Sequence, residues 1–277
     1  MSPGARETYS RGVTAYLKWC KDHGLTPRLE HTQVQTFIAD CLESGGAPTT
    51  AKNRITALRS LSAWCVAEGE LETDEMQKVA FPRIGKRYRP ILDEADLAKM
   101  IATCDVKTFL GKRDAALLAF LADSGGRSSE VLGLDLDDVS IPKGRALVRG
   151  KGDKDRLIPF SPNTATLLDR YLRARRKHRL ANQSTALWLG DRGKTFGYDS
   201  MWYMVKKRAR LAGVENVHPH MFRRTFADRW MSAGGSMDGL MAVAGWEDMS
   251  MIKLYAGARA NARGLEEHQR LFGGEQK

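Results

Sequence analysis

The chain has 277 residues and a net charge of +11, from 44 lysines and arginines against 33 aspartates and glutamates. This length accommodates one large domain or two ordinary ones. The positive excess predicts a polyanionic partner, although a charged soluble surface would have the same sign. Four cysteines without a CxxC pair indicate reduced thiols rather than a disulfide framework. Without a signal peptide or a membrane-spanning apolar stretch, we expect a cytoplasmic protein with no membrane partner.

The first 82 residues predict a domain built from helices alone. Apolar side chains recur at helical spacing over residues 7–22, 31–43 and 48–67. The third of these helices carries basic residues away from its apolar stripe, namely Lys52, Arg54 and Arg59. A solvated face has the same composition, but in a DNA-binding chain this helix would lie against phosphates. We therefore predict a helical domain over residues 1–82, with this helix as the candidate for DNA contact.

The stretch FPRIGKRYRP, residues 81–90, is punctuated by proline and glycine and has no apolar periodicity. These features predict a linker over residues 83–90. Its basic residues are Arg83, Lys86, Arg87 and Arg89. A solvated loop would have the same charge, but a basic linker also allows a two-domain protein to straddle a duplex, so we predict that these residues contact DNA.

Residues 91–277 predict a mixed domain of helices and a small sheet. Three short β-branched runs, joined by turns that contain glycine or proline, predict an antiparallel meander over residues 139–160. The predicted helices are an apolar helix from residue 117 that stops at Gly125–Gly126, a short helix that opens at Arg127, and helices over 162–180, over 199–213 and after Pro219. The expected fold class is mainly α with a small antiparallel β-sheet.

The helix after Pro219 begins with an unusual charge. The sequence NVHPHMFRRTFADRWMSAGG, residues 216–235, places His220, Arg223 and Arg224 near the start of this helix. The N-terminal end of the helix dipole is positive and ordinarily favours acidic residues. Basic groups at that end predict a site for an anion.

Four segments follow one another along the chain: SGGRSSEVLGL, RGKGDKDRLIPF, HPHMFRRTFA and VAGWEDMSMIKLYAG. In residue types, order and internal spacing they resemble the motif boxes of the tyrosine recombinase (phage integrase) family, which includes Cre-like and Xer-like recombinases. The resemblance covers essentially the whole chain. It implies a helical core-binding domain, a mixed α+β catalytic domain, and a C-terminal tail, about residues 256–277, that is passed to a neighbouring protomer.

The resemblance also implies a set of catalytic residues. They are Arg127, Lys151, His220, Arg223, Trp246 and Tyr255, with Glu130 in support. Tyr255 is the implied nucleophile, which attacks the scissile phosphate and forms a phosphotyrosyl ester. In the implied mechanism, Arg127 and Arg223 hold the non-bridging oxygens of the scissile phosphate. Lys151 protonates the 5′-hydroxyl leaving group, and His220 acts as a base or as a hydrogen-bond donor to the phosphate. Trp246 stands where most members have histidine; its indole donates a hydrogen bond but cannot shuttle a proton.

No cofactor is expected. The sequence has no HxxH or CxxC ligand spacing and no Walker-type glycine loop, so neither a metal ion nor ATP is predicted. The resemblance implies double-stranded DNA with core-type recombination sites as the partner, a homotetramer in the synaptic complex and a possible accessory directionality factor. It places the protein on the nucleoid of a bacterial host.

The implied function is site-specific DNA recombination through a 3′-phosphotyrosyl intermediate, which integrates or excises a phage or another mobile element. Three alternatives remain open: an Xer-like recombinase that resolves chromosomes or plasmids, a type IB topoisomerase, and a DNA-binding regulator without catalysis. The small helical N-terminal domain and the C-terminal tail favour a recombinase over a topoisomerase. The presence of all six catalytic positions favours an enzyme over a regulator.

Overall fold

Two units share the chain, Met1–Arg87 and Tyr88–Lys277. The structure is a computed structural model, and it describes residues 3–85, 90–150, 155–191, 196–255 and 260–272. Within these ranges helices dominate both units, and the sheet has three antiparallel strands. The expected fold class is therefore confirmed.

The described part of the first unit contains α1 (Pro3–Asp22), α2 (His31–Glu43) and α3 (Pro48–Ala67), followed by a short 3-10 turn over Glu75–Lys78. Both α2 and α3 have the predicted bounds, and α1 begins four residues before the predicted residue 7. The large buried side chains of this unit include Tyr16, Phe37, Ile55 and Leu58. Periodicity predicts these helices well because each presents apolar side chains on one face.

The second unit is organised around a buried helix, α5 (Phe109–Ser124), which lies between α4 (Glu94–Ala102) and α6 (Ser128–Leu132) in the chain. Leu117, Leu118 and Phe120 of α5 are fully buried. Because apolar side chains surround most of its C-terminal half, this helix has no solvated stripe there. It packs against α4 and against two later helices and one strand of this unit.

The start of α5 differs from the prediction by eight residues, at Phe109 instead of residue 117. Thr108 caps the helix, since its Oγ1 accepts the N–H of Gly111 at 3.0 Å. The pattern hid this first half because two charged residues in it are buried. Asp114 forms ion pairs with Arg113 at 2.7 Å and with Arg208 at 2.6 Å. These ion pairs compensate for burying charged residues that interrupt the apolar pattern.

The sheet is the predicted meander, with β1 (Val139–Ser140), β2 (Arg145–Arg149) and β3 (Asp155–Pro159) in that order. All pairs are antiparallel, and Arg149 stands opposite Asp155 at the end of the β2–β3 pair. Side chains of β2 alternate, with Ala146 and Val148 buried. Residues 151–154, which connect β2 to β3 and include Lys151, lie outside the described residues.

Six further helices follow the sheet in the described chain. They are α7 (Pro162–Arg175), α8 (Tyr198–Leu211), α9 (Pro219–Ser232), α10 (Met237–Ala244), α11 (Ser250–Tyr255) and α12 (Ala260–Phe272). The predicted helix over 162–180 is five residues too long, since α7 ends at Arg175. The buried guanidinium of Arg175 donates to the carbonyls of Ser184 and Ala186 at 2.7 and 2.6 Å. These bonds hold the returning chain against the helix end.

Across the described ranges, no helix combines the length and the apolar character that crossing a bilayer requires.

Candidate active site

A glycine pair ends α5, and Arg127 is the first residue after it. Gly125 has a φ of +59°, and an added Cβ there would lie 2.2 Å from Cδ1 of Phe226. Glycine alone avoids both the left-handed strain and the clash. The predicted helix stop is confirmed, and Arg127 becomes the N-cap residue of α6.

Glu130 holds Arg127 at two points. Its Oε2 accepts the backbone N–H of Arg127 at 2.7 Å, and its Oε1 accepts from Nη1 of the Arg127 side chain, also at 2.7 Å. Nη2 of Arg127 donates to the carbonyl of Gly245 at 3.0 Å. The Arg127 side chain is still 41% exposed, so its guanidinium remains accessible to an anion.

Arg156 is a residue of this site that sequence reasoning missed. Its Nη1 and Nη2 donate to Oε1 and Oε2 of Glu130 at 2.9 and 2.7 Å, and its Nε donates to the carbonyl of Val243 at 2.9 Å. The signal was present, since Arg156 is the last arginine in RGKGDKDRLIPF. Its spacing alone did not indicate a partner, since Glu130 lies 26 residues earlier in the chain.

The Glu130 carboxylate is 5% exposed and carries a perturbed pKa. Burial acts to raise the pKa, but the hydrogen bonds from Arg156 and from Arg127 outweigh it and lower the pKa to about 2. Glu130 is therefore ionised at neutral pH. Two arginines share this single carboxylate in the described bonds, so these three side chains together carry one net positive charge.

Arg223 reaches the same place from α9 but is only 3% exposed. Its Nη1 donates to the carbonyl of Gly125 and its Nη2 to the carbonyl of Ala244, both at 2.6 Å. Its guanidinium carbon lies 5.2 Å from the ring centroid of Trp246. His220, one helical turn earlier, is exposed, so the two residues predicted to share a face differ in their access to solvent.

Three consecutive carbonyls at the end of α10 bind three different arginines. The carbonyls of Val243, Ala244 and Gly245 accept from Arg156, Arg223 and Arg127 respectively. The C-terminal end of a helix dipole is negative, so it favours cations. Gly245 has a φ of +62°, and a Cβ there would lie 2.9 Å from the Arg156 guanidinium. This helix end therefore sets where the arginines converge.

Trp246 follows directly and is 6% exposed. It packs in a small core with Phe226, Leu240 and Ile252, from α9, α10 and α11. Its indole therefore lies between the arginine cluster and the helix that ends in Tyr255. The structure places the backbone of Tyr255 at the end of α11, while its side chain, like Lys151, lies outside the described part of the chain.

His218 is a second residue that the sequence analysis did not assign. It is the N-cap of α9, and its Nδ1 accepts the N–H of Met221 at 3.1 Å. Nη2 of Arg224 lies 3.1 Å from its Nε2. Burial and then the charge of Arg224 lower the pKa of His218. A neutral imidazole therefore begins the helix that carries His220 and Arg223.

We expect acid to weaken the protein through His218. Because the pKa is lower in the folded state than in the unfolded chain, the unfolded chain binds a proton first as the pH falls below about 6.5. Stability is therefore full above that pH and falls as the pH drops towards the folded pKa. His218→Asn keeps the cap and removes the proton site, so its unfolding free energy from urea titration should fall less between pH 7.5 and 5.5.

The matched control is His178→Asn, since burial also lowers the pKa of His178, which lies outside this site. Each variant should remove only its own share of the pH dependence. A pH profile of His218→Asn that runs parallel to the wild type would contradict this role for His218.

The basic residues predicted for the first unit have contacts within it. Arg59 donates to the carbonyls of Met76 and Val79 at 3.1 and 2.8 Å and lies 4.3 Å from the Phe81 ring centroid. Arg54 lies 5.5 Å from the ring centroid of Phe37 and also contacts Cys41.

The other basic residues predicted to contact DNA make a separate group. Lys52 and Arg83 are exposed. Lys86, Arg87 and Arg89 lie outside the described residues. DNA contact by these residues stays a prediction, and Arg54 and Arg59 already stabilise their own unit.

One open cleft of about 690 Å³ adjoins the arginine cluster. Arg127, Arg156, Gly245 and Trp246 line it, and Met251 of α11 lines it farther along the chain. The lining also includes the acidic residues Asp155, Glu247 and Asp248, so the arginine guanidiniums, and not a net positive lining, are the groups that could bind a phosphodiester here. The cleft lies next to a helix that ends in a tyrosine, a residue type that can act as a nucleophile.

Comparison with known families agrees with this geometry. Residues 90–262 match the phage integrase family, and residues 1–69 match the N-terminal SAM-like domain of phage integrases. The chain belongs to the phage integrase family. It is a tyrosine recombinase, an enzyme that cleaves and rejoins DNA in site-specific recombination.

Curated relatives of this phage integrase family member include tyrosine recombinases named XerD and XerC. The XerD of Pseudomonas aeruginosa is 30% identical over 271 residues, which cover 96% of this chain and 90% of the relative. The XerC of Corynebacterium efficiens is 29% identical over 224 residues, covering 80% of this chain and 71% of the relative.

Two solved structures share the fold at low sequence identity. The XerH site-specific recombinase, bound to a palindromic difH substrate after cleavage, has a TM-score of 0.75 and 18% identity and covers 95% of this chain and 78% of its own. A lambda integrase dimer bound to a COC′ core site has a TM-score of 0.72 and 14% identity, covering 94% of this chain and 90% of its own.

Proposed function

We propose that this recombinase cleaves double-stranded DNA at the cleft beside Arg127, with Tyr255 as the nucleophile. The convergence of three arginines on the end of α10, just before the helix that carries Tyr255, is the observation that supports this proposal most. The phenolic oxygen of Tyr255 bonds to the scissile phosphorus, and the bond from phosphorus to the 5′ oxygen breaks. A 3′-phosphotyrosyl ester and a free 5′-hydroxyl result. The 5′-hydroxyl of another strand reverses the step, so no external energy source is needed.

The other predicted residues have proposed roles around that phosphate. Arg127 binds a non-bridging oxygen, for which its exposed guanidinium is suited. Arg223 binds the second oxygen, although only 3% of it is exposed in the protein alone. Lys151 protonates the leaving 5′ oxygen, and His220 assists as base or donor. Trp246 packs beside Arg223 and donates its indole N–H to a phosphate oxygen.

A further DNA-contacting surface is proposed on α8. Tyr198, Trp202 and Tyr203 are exposed on this helix, and Nζ of Lys206 lies 5.5 Å from the Trp202 ring centroid. Arg210 is exposed near the end of the same helix. Exposed aromatic side chains interleaved with basic ones are typical of nucleic-acid contacts. With Lys52, Arg54, Arg59 and the basic linker residues, α8 would hold a core-type site while the cleft acts on one phosphate.

Two biological settings follow from the same chemistry. We propose integration and excision of a phage or another mobile element, with a homotetramer in the synaptic complex and an accessory directionality factor. The second candidate, an Xer-like resolving recombinase, is favoured by the XerD and XerC names of the curated relatives. An integrase recombines two sites of different sequence, whereas a resolving enzyme recombines two copies of one site.

The test begins by selecting the core site from a library of random duplexes. A nicked suicide duplex that carries this site should then trap a covalent protein–DNA adduct, and two duplexes of different length should exchange strands. An adduct without exchange would indicate a topoisomerase, and binding without an adduct would indicate a regulator. Either result would overturn the proposed recombinase.

A further inference from the structure

We infer that Arg156 is a positioning residue. It neutralises the charge of Glu130, so that the positive charge of Arg127 remains available to the scissile phosphate. The inference rests on the proposed function of the cleft. It concerns a residue that does not itself hold the phosphate but decides whether Arg127 can do so.

The contacts divide the two arginines by role. Arg156 binds Glu130 with both terminal nitrogens, one to each carboxylate oxygen, and its side chain is 12% exposed. Arg127 binds the same carboxylate with one terminal nitrogen, and its side chain is 41% exposed. Two-pronged contacts between arginine and carboxylate are the stronger kind. Arg156 is therefore the principal counterion of Glu130, and Arg127 is the more available cation.

The buried carboxylate makes this division necessary. A carboxylate that is only 5% exposed needs a partner, because an unpaired buried charge is costly. Without Arg156, Arg127 would be the remaining described cation bonded to Glu130. Its charge would then be neutralised and its guanidinium drawn towards Glu130. The phosphate would meet a neutral pair instead of a cation.

The backbone keeps Arg156 in place for this task. Its Nε donates to the carbonyl of Val243, at the end of α10. A Cβ at Gly245 would lie 2.9 Å from the Arg156 guanidinium, so glycine leaves the space that Arg156 occupies. The alternative role for Arg156 is merely structural, as a fastener between β3 and α10, and the experiment must separate the two.

The first measurement is single-turnover cleavage of the suicide duplex at saturating protein. We expect Arg156→Gln to bind the selected site within about threefold of wild type and to cleave about 10²-fold more slowly, the size typical of one lost preorganised donor. The double variant Arg156→Gln with Glu130→Gln removes both charges and frees Arg127 again. It should cleave at least about tenfold faster than Arg156→Gln alone.

The second measurement changes the charge of the substrate instead. A methylphosphonate at the scissile position is neutral and depends less on the charge of Arg127, so the defect of Arg156→Gln should shrink to less than about tenfold. A structural fastener would give the same defect on both substrates. Should Arg156→Gln fail to fold, Arg156→Lys keeps the charge but loses the two-pronged contact, and its smaller defect should shrink in the same way.

The matched control is Arg173→Gln, which removes an exposed arginine paired with Asp169 on α7 and should cleave both substrates as wild type does. A double variant no faster than Arg156→Gln, or equal defects on the two substrates, would overturn the inference. Failure of the wild type to form any adduct would instead overturn the proposed function, so the two failures are distinguishable.

Discussion

Tyr255→Phe should bind the selected core site as tightly as the wild type and form no covalent adduct with it. The substitution removes only the phenolic oxygen and keeps the ring, so folding and DNA contacts are expected to persist. The phenolic oxygen is the group that bonds to phosphorus in the proposed step, so no ester can form without it. The adduct on the suicide duplex is measured after denaturation, and binding is measured on the intact duplex.

The control for this experiment is Tyr9→Phe, which makes the same change at a half-buried tyrosine of α1. It should form the adduct at the wild-type rate. Adduct recovered from Tyr255→Phe would place the nucleophile elsewhere, and loss of binding would show that the hydroxyl has a structural task.

Truncation after Gly264 should leave binding of a single site intact and abolish strand exchange. In the structure the apolar residues of α12 are not buried by their own chain, since Leu265, Leu271 and Phe272 are 63, 62 and 74% exposed. Burying each on a neighbouring protomer would contribute about 1.5–3 kcal/mol. That is sufficient where DNA holds the protomers at high effective concentration. We therefore propose a monomer in solution and a tetramer in synapsis.

The control is truncation after Phe272, which shortens the chain but keeps the apolar residues. It should exchange strands as the full chain does. Normal recombination by the protein that ends at Gly264 would show that α12 does not couple the protomers, and weakened binding to one site would assign the tail to DNA contact.

Local patterns were sufficient for the elements whose faces differ. The bounds of α2 and α3, the stop at Gly125 and the meander follow from apolar spacing and turn residues. The first half of α5 was missed because Arg113 and Asp114 are charged but buried, and their partner Arg208 is distant in the chain. A local sequence pattern cannot show that buried charges are paired with residues that are distant in the chain.

The site shows the same division. Motif spacing predicted Arg127, Glu130, Arg223 and Trp246 as site residues, and the structure brings these four to one end of α10. It did not reveal that Arg156 shares the carboxylate of Glu130. Nor did it reveal that Arg223 would be buried in the protein alone, because burial depends on elements that are remote in sequence.

The carbonyls that end α10 make the arginine cluster insensitive to one kind of change and vulnerable to another. A main-chain oxygen is present whichever side chain its residue carries. Exchanging half-buried Val243 for another helix-compatible residue therefore leaves its carbonyl bond to Arg156 in place. An inserted or deleted residue within α10 would instead rotate all three carbonyls by about 100° around the helix axis. Such a change of length adds or removes only one residue, yet it would move the carbonyl acceptors of all three arginines at once.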